Sequence, residues 1–165
     1  VISSKPDVYA LQRAEKSGID HCVIAKRDYI TQEEFSTALL KKLQSYQIDM
    51  IVLAGYLSIL DETIIRAYPD RIINIHPSLI PSFCGKGYYG LKVHEAALKY
   101  GVKVTGATVH LVNEIPDGGK ILLQKAVDIL PSDTPEVLQQ RVMEEAEWIL
   151  LPQATEMIAK EIEGK

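Results

Sequence analysis

A single α/β domain with a mainly parallel sheet and helices on both faces is predicted by three features of the 165-residue sequence. Short apolar runs rich in β-branched residues, such as Met50–Ala54, alternate with segments of helical spacing, the pattern of βαβ units. Two runs with strand-like alternation, Lys103–Val112 and Ile121–Asp128, flank an Asp117-Gly118-Gly119 turn signal, which predicts an antiparallel hairpin toward the C-terminal part. Leu138, Val142, Ala146 and Leu150 recur at four-residue steps, which predicts a long C-terminal helix packed on the domain.

The elements follow in order. Val1–Ile2 reads as a strand end broken by the Ser3–Asp7 turn cluster, and Tyr9–Ser17 as a short helix closed by Gly18. His21–Ala25 is a compact apolar run, read as a buried strand. Thr31-Gln32-Glu33-Glu34 has the form of a capping box, and Phe35, Leu39, Leu43 and Tyr46 give the following helix one apolar face. Met50–Ala54 then has the composition of a strand buried on both faces. A helix after Asp61 carries Ile64, Ile65 and Tyr68 and ends before Pro69. Ile72–Ile75 is a further strand that runs into His76-Pro77. Ser78 to Gly90 is rich in Gly, Ser and Pro and reads as an irregular loop, followed by a helix over Leu91–Tyr100. Thr134-Pro135 supplies an N-cap and a proline at the first helical position for the C-terminal helix. Taken together, the elements predict a Rossmann-like arrangement.

Composition narrows the function. An apolar fraction of 47% with 24% charged residues fits an ordinary globular chain. A net charge of −4 supplies no global attraction for nucleic acid or anionic lipid. Cys22 and Cys84 stand far apart without metal-ligand or disulfide-framework spacing, which suits a cytoplasmic protein. No apolar run approaches the roughly 18 residues that a membrane span needs. The chain opens Val-Ile-Ser-Ser-Lys-Pro without an initiator Met, and further N-terminal sequence is expected.

In open parallel sheets ligands bind beyond the carboxyl ends of the strands. Two segments have that position: Gly55–Leu60 after Met50–Ala54, and His76–Pro81 after Ile72–Ile75. Asn74 and His76 share strand parity, so both side chains leave one face, where each needs a partner if buried. Taken singly, Asn74 reads as well as a capping amide, His76 as a satisfied core histidine, and Asp117-Gly118 as an ordinary turn. His94 and His110 read as structural, or as supports behind a site. No histidine spacing suggests a metal, and Gly85-Lys86-Gly87 lacks the Walker pattern and reads as a mobile loop.

The combination says more than its parts. Asn74–Pro81 (NIHPSLIP) after an apolar strand, then a helix, then Thr105–Val112 (TGATVHLV) and Asp117-Gly118-Gly119, resembles the formyltransferase fold family. Leu53–Leu60 (LAGYLSIL) agrees, and the resemblance runs from Val1 to about Ile158. It implies an enzyme of one-carbon metabolism that takes a formyl group from 10-formyltetrahydrofolate and places it on an amine, without a metal. Pro77, the Asp-Gly-Gly turn and Glu147–Pro152 (EWILLP) favour the branch acting on glycinamide ribonucleotide in purine biosynthesis. The partners implied are these small molecules, with no nucleic acid and no membrane, and the chain as monomer or homodimer.

The resemblance also assigns residues. Asn74, His76 and Asp117 match the catalytic trio. Leu57, Ser58, Ile59 and Leu60 match the segment that holds the pterin-like ring, with Asn74. Asn113, Glu114, Ile115, Pro116 and Asp117 match the loop that closes over it. Glu144 and Glu147 match the segment that contacts the nucleotide's ribose. Gln32 stands where a basic residue often meets the folate tail, a role open to Lys26, Arg27 or Lys86 instead. The family's first strand, phosphate loop and first helix have no counterpart after Val1, so the 165 residues alone are expected to bind nucleotide poorly. Rival readings are a sugar-amine or other folate-dependent formyltransferase, and a non-catalytic fragment or binding module.

Overall fold

Thr31 begins the longest helix of the N-terminal region in the way its sequence predicts. Its hydroxyl accepts from the Glu34 N–H at 3.1 Å, while the Glu34 carboxylate accepts from the Thr31 N–H at 3.2 Å, completing the capping box. The computed structural model describes residues 1–164 and divides into two compact units. The first comprises Val1–Ile48 with Tyr56–Ala67, and the second Asp49–Gly55 with the described residues from Tyr68 onward.

In the first unit β1 (Ile2–Ser3) pairs in parallel with β2 (Cys22–Val23), and α1 (Tyr9–Lys16) makes the crossover. The His21–Ala25 run thus supplies only two strand residues before a 3-10 turn at Lys26–Asp28. The helix α2 (Gln32–Ser45) buries Phe35, Leu39 and Leu43, whereas Tyr46 caps its end at 47% exposure. A shorter helix, α3 (Glu62–Ala67), buries Ile64.

The second unit is built on a four-stranded sheet in the order β3 (Ile51–Leu53), β4 (Ile72–His76), β5 (Val104–Leu111) and β6 (Ile121–Asp128). β3 and β4 are parallel, and the next two pairings are antiparallel, so the reversal begins one strand before the predicted hairpin. The β3 residues are not buried on both faces as their composition suggested. β3 is an outer strand of this sheet, and Val52 is 40% exposed.

Register then separates two chemistries. Asn74 pairs with His110 and His76 with Thr108, while Ile73 pairs with Leu111 and Ile75 with Val109. Alternation therefore sends Ile73, Ile75, Ala107 and Val109 into the main core with Leu138, Val142 and Leu150, and leaves the polar set on the opposite face. The β5–β6 pairing shifts register at Val109/His110, a bulge at the height of the polar set. The hairpin closes tightly: a Cβ at Gly119 would lie 1.7 Å from the Leu111 carbonyl oxygen, so only glycine fits.

The predicted C-terminal helix is interrupted. α5 (Pro135–Val142) starts at the Thr134 cap, with Thr134 Oγ1 accepting from Val137 N–H at 3.3 Å. A π-helical turn at Met143–Glu147 follows, and then α6 (Trp148–Glu163). Buried Leu138, Val142, Ala146, Leu150, Ala154 and Ile158 repeat every four residues. In an α-helix each such step overshoots a full turn by about 40°. One widened turn takes up part of that drift and keeps the stripe on the core.

Candidate active site

The polar face of β4 and β5 gathers the residues that the sequence singled out from distant segments. Parity places Asn74 and His76 on it, and a tight turn supplies the third. Ile115 N–H donates to Asn113 Oδ1 at 3.0 Å and Gly118 N–H to the Ile115 carbonyl at 2.9 Å. This closure holds Asp117 at φ 56°, a left-handed conformation that Asp tolerates better than most residues. Its carboxylate then points between two imidazoles. Oδ2 lies 3.5 Å from His76 Nδ1, and Oδ1 lies 3.5 Å from His110 Nε2.

Each ring is oriented from its far side. His76 Nε2 donates to the Phe83 carbonyl at 2.9 Å, which leaves Nδ1 facing Asp117. His110 Nδ1 donates to the Leu111 carbonyl at 2.8 Å, which turns Nε2 toward Asp117 and toward Asn74 Nδ2 at 3.2 Å. In the neutral ring Nε2 accepts from the Asn74 amide; in the charged ring it donates to the carboxylate. His110 thus links the amide to the acid, a role that the sequence reading left at structural support. Strand alternation could have placed it on the face, but only the β4–β5 register makes it the neighbour of Asn74.

Electrostatics follow from these contacts. Burial pushes the Asp117 carboxyl up, but His110, the Gly85 N–H and the nearby His76 outweigh that and hold it below its ordinary value. Gly85 N–H donates to Oδ2 at 2.7 Å. The neighbouring Cys84 thiol is raised by burial and by the Asp117 charge, so it is a poor nucleophile here. His94 is fully buried, and neither ring nitrogen finds a hydrogen-bond partner among the described residues. Burial, with the charge of His76 second, lowers it to about 4, so it is a neutral core histidine.

The Ser78–Gly90 segment is tied down at its start, ahead of Gly85-Lys86-Gly87. Thr108 Oγ1 donates to the Ser78 carbonyl at 2.7 Å and accepts from Ile80 N–H at 3.1 Å. Gln124 Nε2 reaches both Thr108 Oγ1 and the Ile80 carbonyl, at 3.0 and 3.1 Å.

The chain that carries this arrangement is similar to known proteins. The family model described as formyl transferase matches residues 1–155. The chain belongs to the formyl transferase family. Among its relatives is phosphoribosylglycinamide formyltransferase, chloroplastic, of Arabidopsis thaliana, 41% identical over 146 residues, which cover 88% of this chain and 50% of the relative. The trifunctional purine biosynthetic protein adenosine-3 of Homo sapiens is 41% identical over 159 residues, covering 96% of this chain and 15% of that one. The crystal structure of glycinamide ribonucleotide transformylase 1 from Symbiobacterium toebii superposes with a TM-score of 0.89 at 41% identity, over 97% of this chain and 73% of that one. This member of the family spans half the length of the Arabidopsis relative and less of the multifunctional ones.

The other residues assigned by the resemblance divide between the two units. Leu57–Leu60 belong to the first unit, where Leu57 and Ile59 expose 63% and 70% of their surface and Leu60 is buried. Gln32, also in that unit, spends its amide on Ser36 Oγ at 3.2 Å. Asn113–Asp117 stand with the trio in the second unit, and Ile115 is exposed. Glu144 is exposed and accepts from Gln140 Nε2 at 2.6 Å. Glu147 closes the π-helical turn half-buried, and burial alone pushes its carboxyl above the ordinary value. Among the described residues no group of His, Cys, Asp or Glu could hold a metal ion, and no helix is long and apolar enough to cross a membrane.

Proposed function

We propose that residues 1–165 form a formyltransferase domain that moves the formyl group of 10-formyltetrahydrofolate to the amine of glycinamide ribonucleotide, a step of purine biosynthesis. The observation that carries this reading is the approach of Asp117 to within 3.5 Å of both His76 and His110, with Asn74 alongside. The relatives' names support the substrate class proposed.

Each residue type has a task. As the amine attacks the formyl carbon, charge gathers on the formyl oxygen, and N–H donors from Asn74 and His76 answer it. A fixed donor at such an oxygen contributes about 3–4 kcal/mol. The new C–N bond leaves a proton on the amine, and the departing folate nitrogen needs one as its bond to carbon breaks. His76 Nδ1 is the carrier between them, and Asp117 stabilises the charged ring. Lewis-acid help is not needed for this exchange.

The exposed apolar side chain of Ile115, beside Asp117, suits the folate ring, whose edge Asn113–Asp117 would hold by backbone groups. Glu147, a carboxyl raised by burial without an offsetting cation, suits a ribose hydroxyl. Two free cysteines fit a cytoplasmic site of action for a monomer or homodimer.

The test is formylation of glycinamide ribonucleotide by the purified protein with 10-formyltetrahydrofolate, followed by release of tetrahydrofolate. His76→Ala is expected to lower turnover by about a hundredfold or more with the fold intact. A folded wild-type protein that formylates an amino sugar and not the glycinamide would overturn the substrate assignment.

A further inference from the structure

One short stretch of backbone touches both members of the acid–imidazole pair. The Phe83 carbonyl accepts from His76 Nε2 at 2.9 Å, and two residues later Gly85 N–H donates to Asp117 Oδ2 at 2.7 Å. We propose that Phe83 is a positioning residue: its ring anchors this stretch so that the Phe83 carbonyl fixes which nitrogen of His76 exchanges protons, while Gly85 N–H fixes the facing carboxylate.

Three observations support it. Phe83 holds φ 50°, a left-handed conformation that a bulky residue adopts only when its surroundings impose it, and Gly85 follows at φ 82°. The Phe83 ring packs edge-to-face on Tyr88 and on Tyr100, with centroids 6.3 and 5.9 Å away. The turn is further closed by Ser78 Oγ donating to the Ser82 carbonyl at 2.5 Å and by Cys84 Sγ donating to the Pro81 carbonyl at 3.3 Å. A carbonyl oxygen only accepts, so it demands a proton on Nε2. Nδ1 is thereby the nitrogen that gains or loses a proton, and it is the one facing Asp117. The contact to Asp117 is longer than a good hydrogen bond, which leaves Nδ1 available to a reacting group.

The inference rests on the formyl-transfer reading for its kinetic arm only. Nitrogen-15 NMR of His76 in the full chain reports the tautomer without any turnover. In wild type Nε2 is expected to keep its proton throughout the titration; in Phe83→Ala the neutral ring is expected to divide between both tautomers. The same variant is expected to lose about tenfold in kcat with KM for both substrates nearly unchanged. The acid limb of its pH profile should move up, because Asp117, then faced by His76, His110 and the Cys84 thiol alone, lacks the Gly85 N–H. Phe83→Tyr should restore all three readouts. If Phe83→Ala does not fold, Tyr100→Ala, at a position 80% exposed, takes its place with a smaller change in the same direction. A wild-type-like tautomer and pH profile in a folded variant lacking either ring overturns the proposal. Absence of formyl transfer by the wild type, with the tautomer shift intact, counts against the function and not against the clamp.

Discussion

The two faces of β4 and β5 alternate along the same strands and solve opposite problems. On one, Ile73, Ile75, Ala107 and Val109 join the helix residues Leu138, Val142 and Ala146 in a core where none is more than 8% exposed. Every group there is satisfied by its neighbours. On the other, His76 and His110 meet an acid from outside the sheet through ring-to-carboxylate contacts of 3.5 Å, with Asn74 beside His110. A good N–H···O bond measures about 2.7–3.2 Å. The apolar face is finished, and the polar face is held in place with capacity to spare. Stability should therefore reside on the first face and turnover on the second.

The largest effect that tests this division is on the core face. Ile73→Ala is expected to lose about 3–4 kcal/mol of unfolding free energy, read by urea titration, with kcat near normal at low temperature. A variant that kept its stability and lost its turnover would erase the division. Next comes Asp117→Asn, expected to lower kcat by about a hundredfold while lowering the unfolding midpoint less than Ile73→Ala does.

The smallest effect sharpens the comparison by setting one acid against another. Asp133 is held below its ordinary carboxylate value, first by Arg141, which donates to Oδ2 at 2.6 Å and to Oδ1 at 2.5 Å. Leu130 N–H adds a bond to Oδ2 at 2.8 Å, tying the turn after β6 to α5. With the folded value depressed, its stabilisation is complete above the unfolded carboxylate range and is lost as pH falls through the folded value. Asp133→Asn should cost about 2 kcal/mol near neutral pH and flatten the acid limb of melting temperature against pH. Asp117 is depressed as well, so its ionised form also adds stability that is lost on acidification, but its larger signature should be in kcat, which requires that form. If Asp133→Asn lowered kcat as far as Asp117→Asn does, turnover would not be confined to the polar face.

Local rules made much of this legible in the sequence. The Thr31–Glu34 box and the Thr134-Pro135 start depend on neighbours within a turn, and both form as spaced. Asn74 and His76 share a face because strand parity is a two-residue rule. What lay beyond reach depends on distant partners. His110 acquires its neighbours from the antiparallel register with β4, and Phe83 acquires its role from a carbonyl, which no side-chain motif encodes. β3 carries residues typical of a covered strand yet borders this sheet, since composition does not state which strands lie beside it. The π-helical turn did leave a trace: six buried residues at strict four-residue steps cannot share one stripe of an undistorted α-helix.

Gly119 carries a consequence well away from its own turn. The oxygen that a methyl group there would strike is the same Leu111 carbonyl that receives the His110 Nδ1 proton. One added carbon on the hairpin would have to push that oxygen aside, and the imidazole would lose the support that aims its other nitrogen at Asn74 and Asp117. The absence of a side chain at a turn thus reaches, through a single peptide group, the proton arrangement of the reacting face.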